Sequence, residues 1–124
     1  MSTTSNNPSS SVHLDLANAL ANVGDADALR EMLVMLQELL ASDVPQIAQL
    51  VQSGDFAQAQ LLLHSLKGSL PIFTRPELAS ELVNVELLSK TNAGAGCAEA
   101  YGALHPKLDA LLAEVSYHLA HSAG

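Results

Sequence analysis

Apolar residues recur at intervals of three and four along almost the whole chain, and this period limits the possible folds more than any other feature. The longest periodic run follows Asp25, a good helix N-cap, and continues to Val51. It crosses Pro45, which is expected to kink the helix near Ala41. No segment alternates as a β-strand does. With 48% hydrophobic and 3% aromatic residues, the core is expected to be aliphatic and helical.

Turn and capping residues divide the first half of this pattern into three helices. A short helix is expected from Leu14 to Val23, with Gly24 ending it. The tripeptide Ser53-Gly54-Asp55 ends the long second helix and caps a third. That third helix has to end or bend around Pro71, because proline cannot continue the hydrogen-bond ladder.

Two more helices are expected in the second half. Thr74 to Glu77 has the spacing of a capping box for the fourth helix. A flexible loop is expected over residues 91–96, followed by one helix from about Ala98 to His121 that is bent at Pro106. Four amphipathic helices with short connections predict an all-α, antiparallel four-helix bundle, with the short N-terminal helix as a lid.

Composition sets the domain organisation and the expected surroundings. Residues 1–12 are rich in Ser, Thr and Asn and are expected to be a disordered tail or linker, while residues 13–124 form a single bundle domain. The formal charge of −8 argues against nucleic-acid binding, and the acidic residues are expected to lie on a solvated surface. With no long apolar run and a lone Cys97, we predict a cytoplasmic monomer without direct membrane contact.

His64 stands out among the five histidines because of its neighbours. It lies about 200° around the third helix from the apolar Leu66, so it is predicted to face solvent. Neutral imidazole is nucleophilic at one nitrogen near neutral pH and can accept a phosphoryl group. Lys67, three residues later, can place an ammonium beside the phosphoryl oxygens. Gly68 removes a side chain where a partner protein would approach.

A docking patch for that partner is predicted around His64. Gln60 and Pro71 fall on the His64 side of the third helix, Leu61 is a nearby apolar residue, and Ser65 directly follows His64. A histidine on a rigid helix, surrounded by such residues, suits a nucleophile that a second protein has to reach.

Other kinds of site have weaker support. His118 and His121 share a helix, but two imidazoles are fewer than the four ligands of a typical structural zinc site. Ser65 and Ser69 have a histidine nearby, yet the sequence indicates no carboxylate to orient it and no loop to bind an oxyanion. There is no Gly-rich phosphate loop. We therefore expect no metal site, no cofactor and no ATP binding.

The motif His64-Ser65-Leu66-Lys67-Gly68-Ser69 resembles the His-x-Leu-Lys-Gly-Ser phosphoacceptor motif of histidine-containing phosphotransfer (HPt) domains in bacterial phosphorelays. Leu78, Leu82 and the pair Val85-Glu86 fall where that family has Leu and Leu-Glu positions on the following helix. The similarity extends over roughly residues 14 to 121.

This resemblance implies a bundle whose exposed histidine relays phosphoryl groups between the aspartates of receiver domains. By the match, His64 is the phosphorylated residue, Lys67 stabilises the phosphoryl group and Gly68 gives the receiver access. The receiver would supply the metal and acid groups. The chain would then be a phosphohistidine carrier without kinase activity of its own.

Two questions of context stay open in the sequence. The Ser- and Asn-rich start is more typical of the C-terminal module of a hybrid sensor kinase than of a free-standing protein, and a parent kinase would tether the domain to the inner membrane. The alternative function is a non-catalytic helical-bundle module that binds a receiver or another signalling partner. The intact set of His64, Lys67 and Gly68 favours phosphotransfer.

Overall fold

The computed structural model describes residues 12–91, 94 and 96–121. Five α-helices form in this part of the chain. They are α1 (Leu16–Val23), α2 (Ala26–Ser53), α3 (Phe56–Ser69), α4 (Pro76–Lys90) and α5 (Cys97–His121), with a 3₁₀ turn at Leu70–Ile72. No strand occurs among the described residues, which contain only an isolated bridge between Leu14 and Thr74.

Helices α2 to α5 pack as a closed four-helix bundle. Helix α2 contacts α3 and α5, and α4 contacts the same two helices from the other side. The short connections make consecutive helices antiparallel. Helix α1 lies against α2 and the 3₁₀ turn that follows α3. The fold class predicted from the helical period is therefore confirmed. None of the described helices combines the length and the apolar character that crossing a membrane requires.

The core is aliphatic, as the composition predicts. Each bundle helix buries one apolar stripe, and every fully buried leucine or isoleucine removes enough surface from water to stabilise the fold by about 1.5–3 kcal/mol. The largest of these side chains are Leu33, Leu40, Ile47, Leu63, Leu66, Leu70, Leu82, Leu104, Leu108 and Leu111.

Helix boundaries follow the capping residues in the first half of the chain. The Asp25 carboxylate accepts the Ala28 N–H at 2.9 Å, and α2 ends at Gly54, whose positive φ of 84° suits glycine. Helices α2 and α5 continue through Pro45 and Pro106 as single helices.

Two predicted boundaries are wrong. Leu14 does not start α1, which begins at Leu16, because Leu14 pairs with Thr74 in the isolated bridge. Thr74 does not cap α4 either. The N-cap is Arg75, without a side-chain hydrogen bond, and the Thr74 hydroxyl donates instead to the Leu70 carbonyl at 3.0 Å. The Leu70 carbonyl also accepts the backbone N–H groups of Phe73 at 2.8 Å and Thr74 at 3.1 Å.

Parts of two other predicted segments lie outside the described residues. These are residues 1–11 of the predicted tail, residues 92, 93 and 95 of the predicted loop, and the last three residues of the chain.

The buried carboxylate of Glu114 on α5 holds the chain that precedes α1. It accepts the backbone N–H groups of Val12 at 3.1 Å, His13 at 3.0 Å and Leu14 at 2.8 Å. Glu114 is only 5% exposed, so the expectation that all acidic residues lie on a solvated surface is wrong here. Three charge-assisted hydrogen bonds compensate the burial of this charge.

The same segment, residues 12–15, is also bound to the connection between α3 and α4. The Arg75 N–H donates to the His13 carbonyl at 3.0 Å, and the Asp15 N–H donates to the Phe73 carbonyl at 2.8 Å. Residues 12–15, the strap, therefore join α5 to the end of the helix that carries His64.

Replacing Glu114 by Gln is expected to lower the free energy of unfolding by about 1–3 kcal/mol, because the new amide NH₂ faces backbone N–H groups that have lost an acceptor. Urea denaturation followed by circular dichroism measures the change. The matched control is Glu99→Gln on the exposed side of the same helix, which should stay within about 0.5 kcal/mol of the wild type. Equal stability of the two variants would contradict the role assigned to Glu114.

Candidate functional site

Helix α3 presents His64 to solvent from a fixed position. Its first turn is capped by Asp55, whose carboxylate accepts the Gln58 N–H at 3.2 Å. The opposite face of the helix is anchored by the buried Leu63 and Leu66. The His64 side chain is 63% exposed, as the helical period predicts. Because the helix packs along its length, the imidazole sits on a rigid support.

A buried carboxylate on the neighbouring helix lies directly under His64. Glu86 of α4 is only 1% exposed, although it is ionisable. Its Oε2 lies 3.1 Å from His64 Nδ1, 3.1 Å from Gln60 Nε2 and 3.2 Å from Lys90 Nζ. Its Oε1 lies 2.7 Å from Lys67 Nζ. One carboxylate thus joins three side chains of α3 to α4.

Glu86 is held in its ionised form by these contacts. Burial by itself would raise the pKa of the carboxyl group, since a charge is costly to remove from water. The contacts with Lys67, Gln60, Lys90 and His64 outweigh burial and lower the pKa of Glu86 from 4.5 to about 2. The carboxylate is therefore charged at any pH near neutrality.

An ionised Glu86 determines which nitrogen of the neutral His64 ring carries the proton. A carboxylate oxygen can only accept a hydrogen bond, so Nδ1 of His64 has to carry the proton and donate it. In the neutral ring the lone pair is then on Nε2. The site thus combines an exposed nucleophilic nitrogen with a fixed ring orientation.

An apolar groove lies beside His64, between α2 and α3. It has a volume of about 400 Å³. Gly68 lines it, as do Met32, Met35, Leu36, Leu39, Ser69, Ile72 and Phe73. Met35 is 64% exposed, which is unusual for a large apolar side chain. A Cβ atom added to Gly68 would meet nothing of this chain within 4 Å. Packing inside the chain therefore does not require glycine at this position.

The predicted site residues are brought together only in part. Gln60, His64 and Lys67 converge on Glu86. Leu61 is 58% exposed on the same helix, and Ser65 is exposed with its carbonyl accepting from the Ser69 hydroxyl.

Pro71 lies apart from the groove that Gly68 lines. It belongs to the 3₁₀ turn and borders a separate depression lined by Asp15, Asn18 and Thr74.

Two residues of the site, Glu86 and Lys90, are not predicted as site residues from the sequence. Glu86 is part of the family resemblance without a role of its own, and the sequence patterns described above do not predict Lys90 as a site residue. The sequence does contain a signal for both. Leu78, Leu82 and Glu86 are four residues apart, so the helical period puts a carboxylate on the buried face of α4. A buried charge needs a partner, and Lys90 follows one turn later.

Elsewhere the described chain offers little chemistry. His121 stacks on Tyr117, and its Nδ1 lies 2.8 Å from the Tyr117 carbonyl. Within residues 12–91, 94 and 96–121, no three His, Cys, Asp or Glu side chains converge as metal ligands would.

The depressed pKa of Glu86 predicts a pH-dependent stability. A carboxyl group whose pKa is lowered in the folded state stabilises that state at pH values above its ordinary pKa of 4.5. This contribution is lost as the pH falls towards about 2. A shift of this size corresponds to about 3 kcal/mol. Urea denaturation from about pH 2 to about pH 7, a range that includes both pKa values, should show Glu86→Gln less stable than the wild type at neutral pH. The difference should shrink below pH 4.5.

Glu81→Gln is the matched control on the same helix. Glu81 makes a single ion pair with Lys107, at 2.6 Å, on a partly exposed surface, so its loss should cost at most about 1 kcal/mol. A stability difference for Glu86→Gln that does not change with pH would contradict the assignment of an ionised Glu86.

Comparison with known protein families identifies the family to which this chain belongs. The family model described as Hpt domain matches residues 31–116, which is more than half of the chain and includes the whole of α3 and α4. No curated protein and no solved structure matches the chain. The matched region contains the exposed histidine, the buried glutamate and both lysines that contact it. The chain belongs to the Hpt domain family.

Proposed function

We propose that this chain relays a phosphoryl group between receiver-domain aspartates through Nε2 of His64. Membership of the Hpt domain family indicates phosphotransfer in two-component signalling and interaction with receiver domains. The single observation that carries the assignment to His64 is its contact with the buried, ionised Glu86 at 3.1 Å. That contact leaves Nε2 as the free nucleophile on a side chain that is 63% exposed.

The transfer step follows from the ring geometry. The Nε2 lone pair forms a bond to phosphorus while the bond from phosphorus to the receiver's aspartate oxygen breaks, and its electron pair returns to the carboxylate. The proton on Nδ1 stays on the ring. The ring gains a positive charge in this step, and the Glu86 carboxylate on Nδ1 balances it. Transfer to a second receiver is the same step in reverse.

Lys67 and Gly68 have separate roles in this proposal. Lys67 is one turn from His64, and its side chain is one-third exposed, so its ammonium can reach the phosphoryl oxygens. Gly68 leaves open space next to the groove. We propose that the receiver docks here, over Leu61 and Ser65 of α3, with Gln60 holding Glu86 below. Pro71 stays a docking prediction at the far end of α3.

His64→Gln is expected to fold normally and to accept no phosphoryl group, because the amide has no nucleophilic nitrogen. The measurement is transfer of ³²P from a phosphorylated receiver domain, followed by a test of the label for acid lability and alkali stability. The matched control is His105→Gln, which removes another partly exposed histidine and should be labelled like the wild type.

Label that persists in His64→Gln would contradict the proposal. A folded wild-type protein that binds several phosphorylated receivers but takes no label would favour the alternative, a module that binds signalling partners without being phosphorylated.

Gly68→Ala is expected to change stability and transfer in opposite directions. Alanine should raise the free energy of unfolding by up to about 1 kcal/mol, since glycine is unfavourable inside a helix and the added methyl meets no atom of the chain. The same methyl should slow phosphotransfer by obstructing the receiver.

Gly102→Ala is the matched control for this substitution. Gly102 lies inside α5, where an added Cβ also meets nothing within 4 Å. Its replacement should stabilise the fold without slowing transfer. If Gly68→Ala transfers as fast as Gly102→Ala, the access role of Gly68 is wrong.

The wider context stays a prediction. The proposal is compatible with a C-terminal module of a hybrid sensor kinase and with a free-standing carrier in the cytoplasm.

A further inference from the structure

Two lysines, from two helices, contact opposite oxygens of the one carboxylate under His64. Lys67 Nζ is 2.7 Å from Oε1 of Glu86, and Lys90 Nζ is 3.2 Å from Oε2. The side chains are 33% and 46% exposed, so both lysines lie at the edge of solvent. The chain has only three lysines, and two of them are at this site.

We propose that Lys90 is a positioning residue that keeps Glu86 compensated while Lys67 leaves the carboxylate to bind the phosphoryl group on His64. This inference rests on the proposed function and concerns the regulation of charge at the same site. Lys67 is the mobile cation and Lys90 the stationary one.

The distribution of contacts over the two oxygens indicates which lysine can leave. Lys67 is the ion-pair partner of Oε1, which is buried and has no other hydrogen-bond donor among the described residues. Its departure leaves Oε1 without a partner but keeps the bonds of Oε2 to His64 and Gln60, so the carboxylate charge then has to be balanced at Oε2. Departure of Lys90 would remove the lysine contact from Oε2, the oxygen that orients the imidazole.

Formal charges show why a second cation is needed. Before transfer, Glu86 and two lysines sum to one positive charge beside a neutral ring. Phosphorylation adds a dianionic phosphoryl group and one positive charge on the ring, so the cluster becomes neutral. With a single lysine, a buried carboxylate and a phosphoryl group would compete for one ammonium, and the carboxylate is already within 2.7 Å of it. Lys90 removes this competition.

The movement can be observed directly by NMR of the lysine ammonium groups. The protein is phosphorylated on His64 with phosphoramidate, a small donor that needs no receiver, and the ¹H–¹⁵N signals of Lys67, Lys90 and Lys107 are compared before and after. We expect the Lys67 signal to shift and the Lys90 signal to stay. Lys107 pairs with Glu81 and serves as the internal reference. A shift of Lys90 with Lys67 unchanged would overturn the proposal.

Substitutions give a second, independent readout. Lys90→Gln should shorten the half-life of phosphohistidine by roughly three- to fivefold, the size of effect expected from one partly exposed ion pair. It should also raise the pKa of Glu86 from about 2, measured by ¹³C NMR of the carboxyl group. Lys90→Arg should restore both values, and Lys107→Gln should change neither. A wild-type half-life in Lys90→Gln would overturn the proposal.

These outcomes separate this inference from the proposed function. Normal transfer from a receiver together with an unchanged half-life in Lys90→Gln would leave the relay standing and reject only the division of roles between the lysines. Failure of both phosphoramidate and a phosphorylated receiver to modify His64 would reject the relay and the inference with it.

Discussion

The site depends on the compensation of one buried charge. Glu86 is almost fully enclosed, yet its carboxyl group is ionised because two ammonium groups, an amide and an imidazole surround it. Three of these contacts also connect two helices, since Gln60, His64 and Lys67 are on α3 while Glu86 is on α4. The bonds that set the tautomer of the histidine are thus the same bonds that hold two bundle helices together.

The rest of the fold serves to hold that pair of helices. The aliphatic core fixes the rotation of α3 about its axis, so that Leu63 and Leu66 face inward and His64 faces outward. The strap fixes the far end of α3, because it is bound both to Glu114 and to the residues after the 3₁₀ turn. The His64 imidazole, positioned in this way, needs little reorganisation when a partner protein arrives.

Much of this architecture follows from local sequence rules. The exceptions are residues whose hydrogen bonds or burial those rules do not describe. The helical period predicts the bundle and the outward position of His64, and Asp25 and Gly54 mark helix ends through short-range hydrogen bonds. The Thr74 hydroxyl binds a local carbonyl four residues earlier instead of capping α4, whereas the partners of Glu114 are about a hundred residues away and no local rule predicts them. The expectation of a solvated acidic surface does not hold for Glu86, because the period of α4 places it inside and Lys90 follows one turn later.

The clustering of lysines has a consequence for how partners find the site. The chain carries a net charge of −8, so its average field repels anions at long range. Two of its three lysines are nevertheless located next to His64, which makes this face a local reversal of sign on an acidic protein. An anionic partner would be turned towards that face during its approach, and the association rate would fall as salt shortens the range of the field. If His64 is phosphorylated as proposed, the two lysines beside it would also orient the incoming partner protein.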